Sequence, residues 1–248
     1  MFSGVGALFE VLLRTFADVL HTLSMLILLV KMNRTKSCSG ISLRSQILYL
    51  SVYVLRYLDL FYLMVYPSKK IPYRLIYNSF MKIFFISLQL NIIYKMLYSY
   101  YYSYDKEYDD MPIVYIIAVA LVSGLLLCDI KISAHIIRGT IEWLWAASIV
   151  LESVSILPQL SLLHRVGEGE ILTIEYVITL GLYRFIYMLI WIGKFVSTGE
   201  VECHLLLWGS VVQSVIYLEL FWVYANRVIK SGRKFTLKPK KFLRDAFL

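Results

Sequence analysis

Residues 172–195 read LTIEYVITLGLYRFIYMLIWIGKF, a long apolar run with only Glu175, Arg184 and Lys194 carrying charge. A helix needs about 20 apolar residues to cross a hydrocarbon core about 30 Å thick, and this run meets that length. Within it Tyr183, Tyr187, Trp191 and Lys194 are spaced four, four and three apart, with Arg184 beside them, so one helix face gathers these groups. The run is continuous and does not alternate with a period of two, which argues against a barrel strand. It predicts a spanning helix whose polar face is turned away from lipid.

Working outward, the whole chain is of this kind. Its 248 residues are 59% hydrophobic and 17% charged, with a mean hydropathy of +0.69. That excludes a disordered chain, and Cys38, Cys128 and Cys203 are too few and too far apart for a disulfide-built module. Allowing roughly 32 residues for a span and its connection gives seven or eight crossings. Apolar runs between charge clusters place spans near 8–30, 43–66, 76–97, 112–128, 140–163, 172–195 and 204–228. The expected fold is an all-α integral membrane protein, with seven transmembrane helices in residues 1–228 and a basic tail in 229–248. Glu10, Arg14, Asp18 and His21 interrupt the first apolar stretch and Met1–Gly6 has no basic region, so no cleavable signal is expected.

The net charge of +8 is concentrated at one end: Arg227, Lys230, Arg233, Lys234, Lys238, Lys240, Lys241 and Arg244 form the tail. Such a cluster reads as cytoplasmic and facing anionic lipid, or as a positive-inside anchor, and not as a nucleic-acid site. With the N-terminus lumenal, fifteen Lys and Arg fall on the cytoplasmic side against six on the other, while Arg14, Arg56, Lys82 and Arg184 lie deeper within spans.

A faint duplication runs through the chain. Gly40 followed by SQILYLSVYVLRYLDLFYL (45–63) resembles Gly167 followed by ILTIEYVITLGLYRFIYML (171–189), each a Gly-containing link opening a helix with an Arg beside a Tyr near its far end. Three helices, a linking fourth helix and three more would permit two parallel repeats, as in the small sugar transporters called SWEETs.

Ionisable groups inside a membrane cost a few kcal/mol each on insertion scales, roughly 2.5–3.5 for Arg, Lys or Asp at the centre, so they face the bundle interior or a wet cavity. Glu10, Arg14, Asp18 and His21 share one face of the first span; Arg56 and Asp59 lie three apart on the second; Glu142, Trp145 and Glu152 mark the fifth. One reading is structural ion pairing, Arg14 with Asp18 and Arg56 with Asp59. The other is a water-filled cavity, with Arg14, Arg56, Arg184 and Lys194 as cations, Glu142 and Trp145 as an ammonium site, and tyrosines as hydroxyl donors. Such a cavity suits a ligand with several negative charges and one positive. His21 is either a packed histidine or one whose charge controls the local field near neutral pH.

The segments KSCSGISLRSQILYL (36–50), RYLDLF (56–61), WLWAASIVLESVSILPQL (143–160) and GLYRFIYMLIWI (181–192) make the chain resemble the ER lumen protein retaining receptors, the KDEL or HDEL receptors, over nearly its whole length. The resemblance implies a SWEET-like fold and a lumenal cavity for the C-terminal Lys-Asp-Glu-Leu or His-Asp-Glu-Leu tail of escaped ER residents. It implies cycling between ER and Golgi membranes, with capture in the more acidic Golgi. Position by position, it implies that Arg56 meets the terminal carboxylate of the signal, Arg14 its glutamate and Lys194 its aspartate, while Glu142 and Trp145 hold its first residue. His21 matches the proton sensor, Glu152 with Tyr183 a contact near the switch, Tyr187 a pocket neighbour, and Asp59 and Arg184 buried polar positions. The tail, with Lys230, Arg233 and Lys234, would meet the COPI coat of retrograde vesicles. No cofactor, metal site or catalytic group is implied.

Departures from the family pattern are Lys194 in place of Arg, Glu219 in place of Asp, Glu202 or Cys203 at an acidic lumenal position, a longer segment at 129–139 and a tail extended by PKKFLRDAFL (239–248). Lysine lacks the planar fork of arginine, so the aspartate contact should be weaker or retuned. A solute transporter of the SWEET or PQ-loop kind is the alternative, favoured by the repeat and by Pro158-Gln159, but four cations suit a neutral sugar badly. An intramembrane enzyme has no support in HExxH, paired aspartates or a nucleophile with a base.

Overall fold

The computed structural model describes residues 4–58, 60, 73–127, 136–166, 171–198 and 204–224. They form α1 (Gly4–Thr35), α2 (Leu43–Arg56), α3 (Tyr73–Tyr94), α4 (Ile113–Leu127), α5 (Ile136–Val154), α6 (Leu157–Val166), α7 (Ile171–Thr198) and α8 (His204–Tyr224), with no strand among the described residues. A wide π turn, Lys95–Ser99, extends α3, and a short 3-10 turn follows at Tyr101–Ser103. Four stretches, Phe9–Thr35, Ile76–Ser99, Gly139–Leu163 and Glu175–Val196, are long and apolar enough to cross a membrane; α4 is apolar but shorter. The protein is therefore an all-helical chain with membrane-spanning character.

Each expected span carries helix where it is described, with two differences. The span expected over 43–66 breaks after α2, where Tyr57 N–H donates to Tyr53 O and Leu60 N–H to Tyr57 O in a turn. The span expected over 140–163 is divided at Ser155–Ile156 between α5 and α6. Pro158 explains the second break: it has no N–H to give to the carbonyl four residues back, and its ring collides with that carbonyl. Ser155 O–H instead donates to Leu151 O at 2.7 Å, closing the last turn of α5.

Helices α1, α7 and α8, with residues 102–108 and 160–166, belong to one compact unit, and α2 to α5 belong to another. In the first unit α1 packs along α7, and α7 on α8. On α1 the exposed Phe9, Leu12, Phe16, Val19, Leu23 and Leu26 recur at three and four residues, the stripe a lipid-facing helix shows, while His21, Ser24 and Leu28 on another side are buried. In the second unit α5 packs against α2 and α4, and α3 against α2. At Gly124 of α4 an added Cβ would lie 2.6 Å from the Ala147 Cα and N of α5, so the helices meet backbone to backbone, the close approach small residues permit in membranes.

The chain ends of α1 and α2 are held by two aspartates of one loop. In the first unit Asp105 Oδ2 accepts from Ser39 Oγ at 2.8 Å and from Gly40 N at 2.7 Å, where Gly40 has the positive φ of 74° that a side chain would resist. Beside it the buried Cys38 thiol lies 3.5 Å from Ser103 Oγ. Burial pushes that thiol above its usual pKa, the nearby Asp105 charge adding to the effect, so the thiolate that reacts is scarce. N-ethylmaleimide at neutral pH is expected to leave Cys38 unlabelled in the folded protein and to label it after unfolding in detergent; fast native labelling, read by mass spectrometry, would contradict this.

In the second unit Ser42 caps α2, its hydroxyl accepting from Ser45 N at 3.1 Å, while buried Asp109 accepts from Ser42 Oγ at 2.7 Å and Arg44 N at 3.1 Å. An anion at a helix N-terminus satisfies donors that the helix itself cannot. Gln159 adds two more bonds, accepting from Ser42 N and donating its own N–H to Ser45 Oγ, both at 2.9 Å. The Pro158-Gln159 pair thus serves packing: proline breaks the helix, and glutamine ties the break to the start of α2.

Candidate functional site

The expected site residues that are described fall into two polar clusters, one in each unit. In the first, α1 and α7 meet along a ladder. Glu10 and Arg14 of α1 face Trp191 and Lys194 of α7; Asp18 faces Tyr187; His21 faces Tyr183. The paired numbers, 10 with 194, 14 with 191, 18 with 187 and 21 with 183, rise on one helix as they fall on the other, so α1 and α7 run antiparallel. The spacing of four, four and three on each helix is what lets every rung close.

The rungs differ in chemistry. At the outermost, Glu10 Oε1 accepts from Arg14 Nε at 2.9 Å, lies 2.8 Å from Arg14 Nη2 and 3.4 Å from Lys194 Nζ. The Arg14 guanidinium and the Lys194 ammonium both lie against the Trp191 ring, 5.7 and 5.5 Å from its centroid. Next, Tyr187 O–H donates to Asp18 Oδ1 at 2.7 Å. Then buried His21 stacks on Tyr183 with centroids 4.5 Å apart and planes within 12°, while the Arg184 guanidinium lies 4.5 Å from the same Tyr183 ring. Tyr183 and Tyr187 meet edge to face at 6.3 Å, joining two rungs.

In the second cluster Arg56, in the last turn of α2, is gripped by α5. Its Nη1 lies 2.5 Å from Glu152 Oε2 and its Nε donates to Ser148 Oγ at 3.1 Å. Ser148 and Glu152 are four residues apart, on one face of α5, and both are buried. Ser148 O–H donates in turn to Trp145 O at 2.6 Å. Trp143 Nε1–H donates to Leu121 O at 2.8 Å and fixes α5 against α4. Glu142 and Trp145 are half-buried and lie a turn apart on α5.

One ion pair expected from spacing, Arg14 with Asp18, is corrected. Arg14 is held by Glu10 and not by Asp18, whose partner is the Tyr187 hydroxyl. Arg56 is held by Glu152, far away in sequence; the pairing expected with Asp59 falls on a position outside the described residues. Within its own unit Glu152 has Arg56 as a neighbour, and within its own unit Tyr183 has His21. Asp59, the tail residues Lys230, Arg233 and Lys234, and Cys128 and Cys203 lie outside the described residues. Sequence reading missed Ser148 as an Arg56 partner, although its place four residues before Glu152 marks the face, and it missed Glu10 as the bridge to Lys194.

Comparison with known proteins gives the family. The family model described as ER lumen protein retaining receptor matches residues 37–194. The chain is 39% identical over 223 residues to the ER lumen protein-retaining receptor of Dictyostelium discoideum, covering 89% of this chain and 95% of that one. It is 36% identical over 225 residues to the receptor of Drosophila melanogaster, covering 90% and 97%, and 39% identical over 213 residues to receptor A of Arabidopsis thaliana, covering 85% and 92%. These relatives are named as retention receptors, which favours neither an enzyme nor the solute-transporter alternative. On these matches the chain belongs to the ER lumen protein retaining receptor family.

Proposed function

We propose that the protein captures the C-terminal Lys-Asp-Glu-Leu or His-Asp-Glu-Leu signal of escaped ER residents in the Golgi and returns them to the ER. Arg14 takes the signal's glutamate, Lys194 its aspartate and Arg56 its terminal carboxylate, with Glu142 and Trp145 at its first residue and Tyr187, Asp59 and Arg184 supporting the contacts. The observation that carries this reading is the ladder of α1 and α7, which brings Arg14 and Lys194 to one tryptophan and sets His21 two rungs along. Charge-assisted bonds to carboxylates are the strong kind, and a tail of four residues offers little area, so a few such bonds must supply the affinity.

The proposed topology has seven crossings in a SWEET-like order, with the N-terminus lumenal and the tail cytoplasmic. The antiparallel run of α1 and α7 supports it, because a first and a sixth crossing must point in opposite directions. Ligand binding would shift a population toward a state that presents Lys230, Arg233 and Lys234 to the COPI coat.

Titration calorimetry of the full chain with a free-acid Lys-Asp-Glu-Leu peptide, at about pH 5.5 and about pH 7.4, tests the reading on either side of the ordinary histidine pKa. Capture at acid pH that weakens at neutral pH is expected; no capture at either would end it. The sign follows from linkage: protonated His21 adds a cation where an anionic ligand sits, so proton and ligand favour one another and affinity falls as pH rises. Replacing His21 with alanine should bring the affinities at the two pH values to within about twofold of each other. A variant that keeps the full pH dependence would move the sensor elsewhere, with Glu152 and Tyr183 the next groups to replace.

A further inference from the structure

Glu10 already holds the cations that the receptor reading assigns to the signal. One oxygen, Oε1, meets Arg14 Nε at 2.9 Å, Arg14 Nη2 at 2.8 Å and Lys194 Nζ at 3.4 Å, and so bridges α1 to α7. This is the geometry expected of a carboxylate ligand on these two cations, supplied by the chain itself. The side chains of Arg14, Glu10 and Lys194 keep 29%, 25% and 18% of their exposure, so the bridge can open to water and to an incoming group without disturbing the rungs below.

We propose that Glu10 is a tethered competitor of the signal's acidic side chains and sets how far the receptor discriminates an acidic signal from a neutral one. The inference rests on the reading of Arg14 and Lys194 as signal-binding cations. Because Glu10 is part of the same helix as Arg14, it is present at a high effective concentration, and a free carboxylate must displace it. Signal binding at this rung is then an exchange of one carboxylate for another, and its net gain is smaller than that of filling two open cations. A ligand with two acidic side chains can pair both cations after the exchange, whereas Glu10 reaches both through a single oxygen. A ligand with amide side chains gains nothing by displacing Glu10. Trp191 stays against both cations throughout and keeps them positioned for either partner.

The test uses the full chain at acid pH with two free-acid peptides, Lys-Asp-Glu-Leu and Lys-Asn-Gln-Leu, in calorimetric titrations of the wild type, Glu10→Gln and Glu10→Ala. Both variants are expected to tighten Lys-Asp-Glu-Leu by roughly three- to tenfold and to leave Lys-Asn-Gln-Leu within about twofold. Both should melt within about 3 °C of the wild type, as loss of a partly exposed pair allows. Unchanged or weaker capture of the acidic peptide would overturn the proposal; weaker capture would instead make Glu10 a contact for the signal's cationic first residue. Equal tightening of both peptides would overturn it too, because the side-chain carboxylates would then be irrelevant. Capture by the wild type without tightening in the variants defeats this inference alone. No capture of either peptide by any of the three proteins defeats the receptor reading and this inference with it.

Discussion

Replacing Arg56 with alanine is expected to abolish capture of the Lys-Asp-Glu-Leu peptide and to destabilise the protein at the same time. The guanidinium meets Glu152 Oε2 at 2.5 Å and Ser148 Oγ at 3.1 Å, and Glu152 is only 5% exposed. Taking away one partner of a buried ion pair removes the main counter-charge of the other, which costs about 3–5 kcal/mol where it has been measured. Losing a charge-assisted bond to the terminal carboxylate weakens binding by about a hundredfold. The two effects can be separated: the double variant Arg56→Ala with Glu152→Gln removes both charges and should recover much of the lost Tm while capture stays absent. Wild-type affinity in the double variant would show that Arg56 acts only as a counterion to Glu152.

The second large effect lies in the packing of α4 on α5. Valine at Gly124 would place its Cβ 2.6 Å from the Ala147 Cα and N, a contact with backbone that no rotamer change relieves. The helices would have to separate, loosening the Trp143 Nε1–H bond to Leu121 O. Overpacking of this kind costs about 2–3 kcal/mol, and more when backbone is the obstacle, which for a chain of this size lowers the Tm by about 5–10 °C. Alanine at Gly139 or Gly193 meets nothing within 4 Å and should leave the Tm unchanged or slightly raised, the helix propensity of alanine being the greater. A Gly124→Val protein that melts with the wild type would mean that α4 and α5 pack more loosely than this.

Much of this architecture is legible in the sequence, because the bilayer imposes long apolar runs and a residue's place on a helix face follows from counting. The face of Tyr183, Tyr187, Trp191 and Lys194 and the face of Glu10, Arg14, Asp18 and His21 could each be read from spacing alone. Which face meets which could not, since that depends on tertiary packing. Local spacing suggested Arg14 with Asp18, yet Arg14 pairs one turn in the other direction, and the Tyr187 hydroxyl takes Asp18 from another helix. Arg56 illustrates the same limit: an anion that pairs with it, Glu152, lies on α5, and no periodicity on α2 points there. The roles of Asp105 and Asp109 were hidden for a different reason. Two acids in a polar loop look like solvated charge until the amides and hydroxyls they accept from are seen.

The matched rungs of α1 and α7 also constrain inheritance. A change at one position leaves its counterpart across the seam with a wrong charge or a stranded hydroxyl, as when phenylalanine at Tyr187 would deprive Asp18 of its donor. Among descendants of this gene, tolerated substitutions at 10, 18 and 21 should therefore arrive in concert with substitutions at 194, 187 and 183, while Phe9, Leu12 and Phe16, exposed on the same helix, remain free to drift among oily residues.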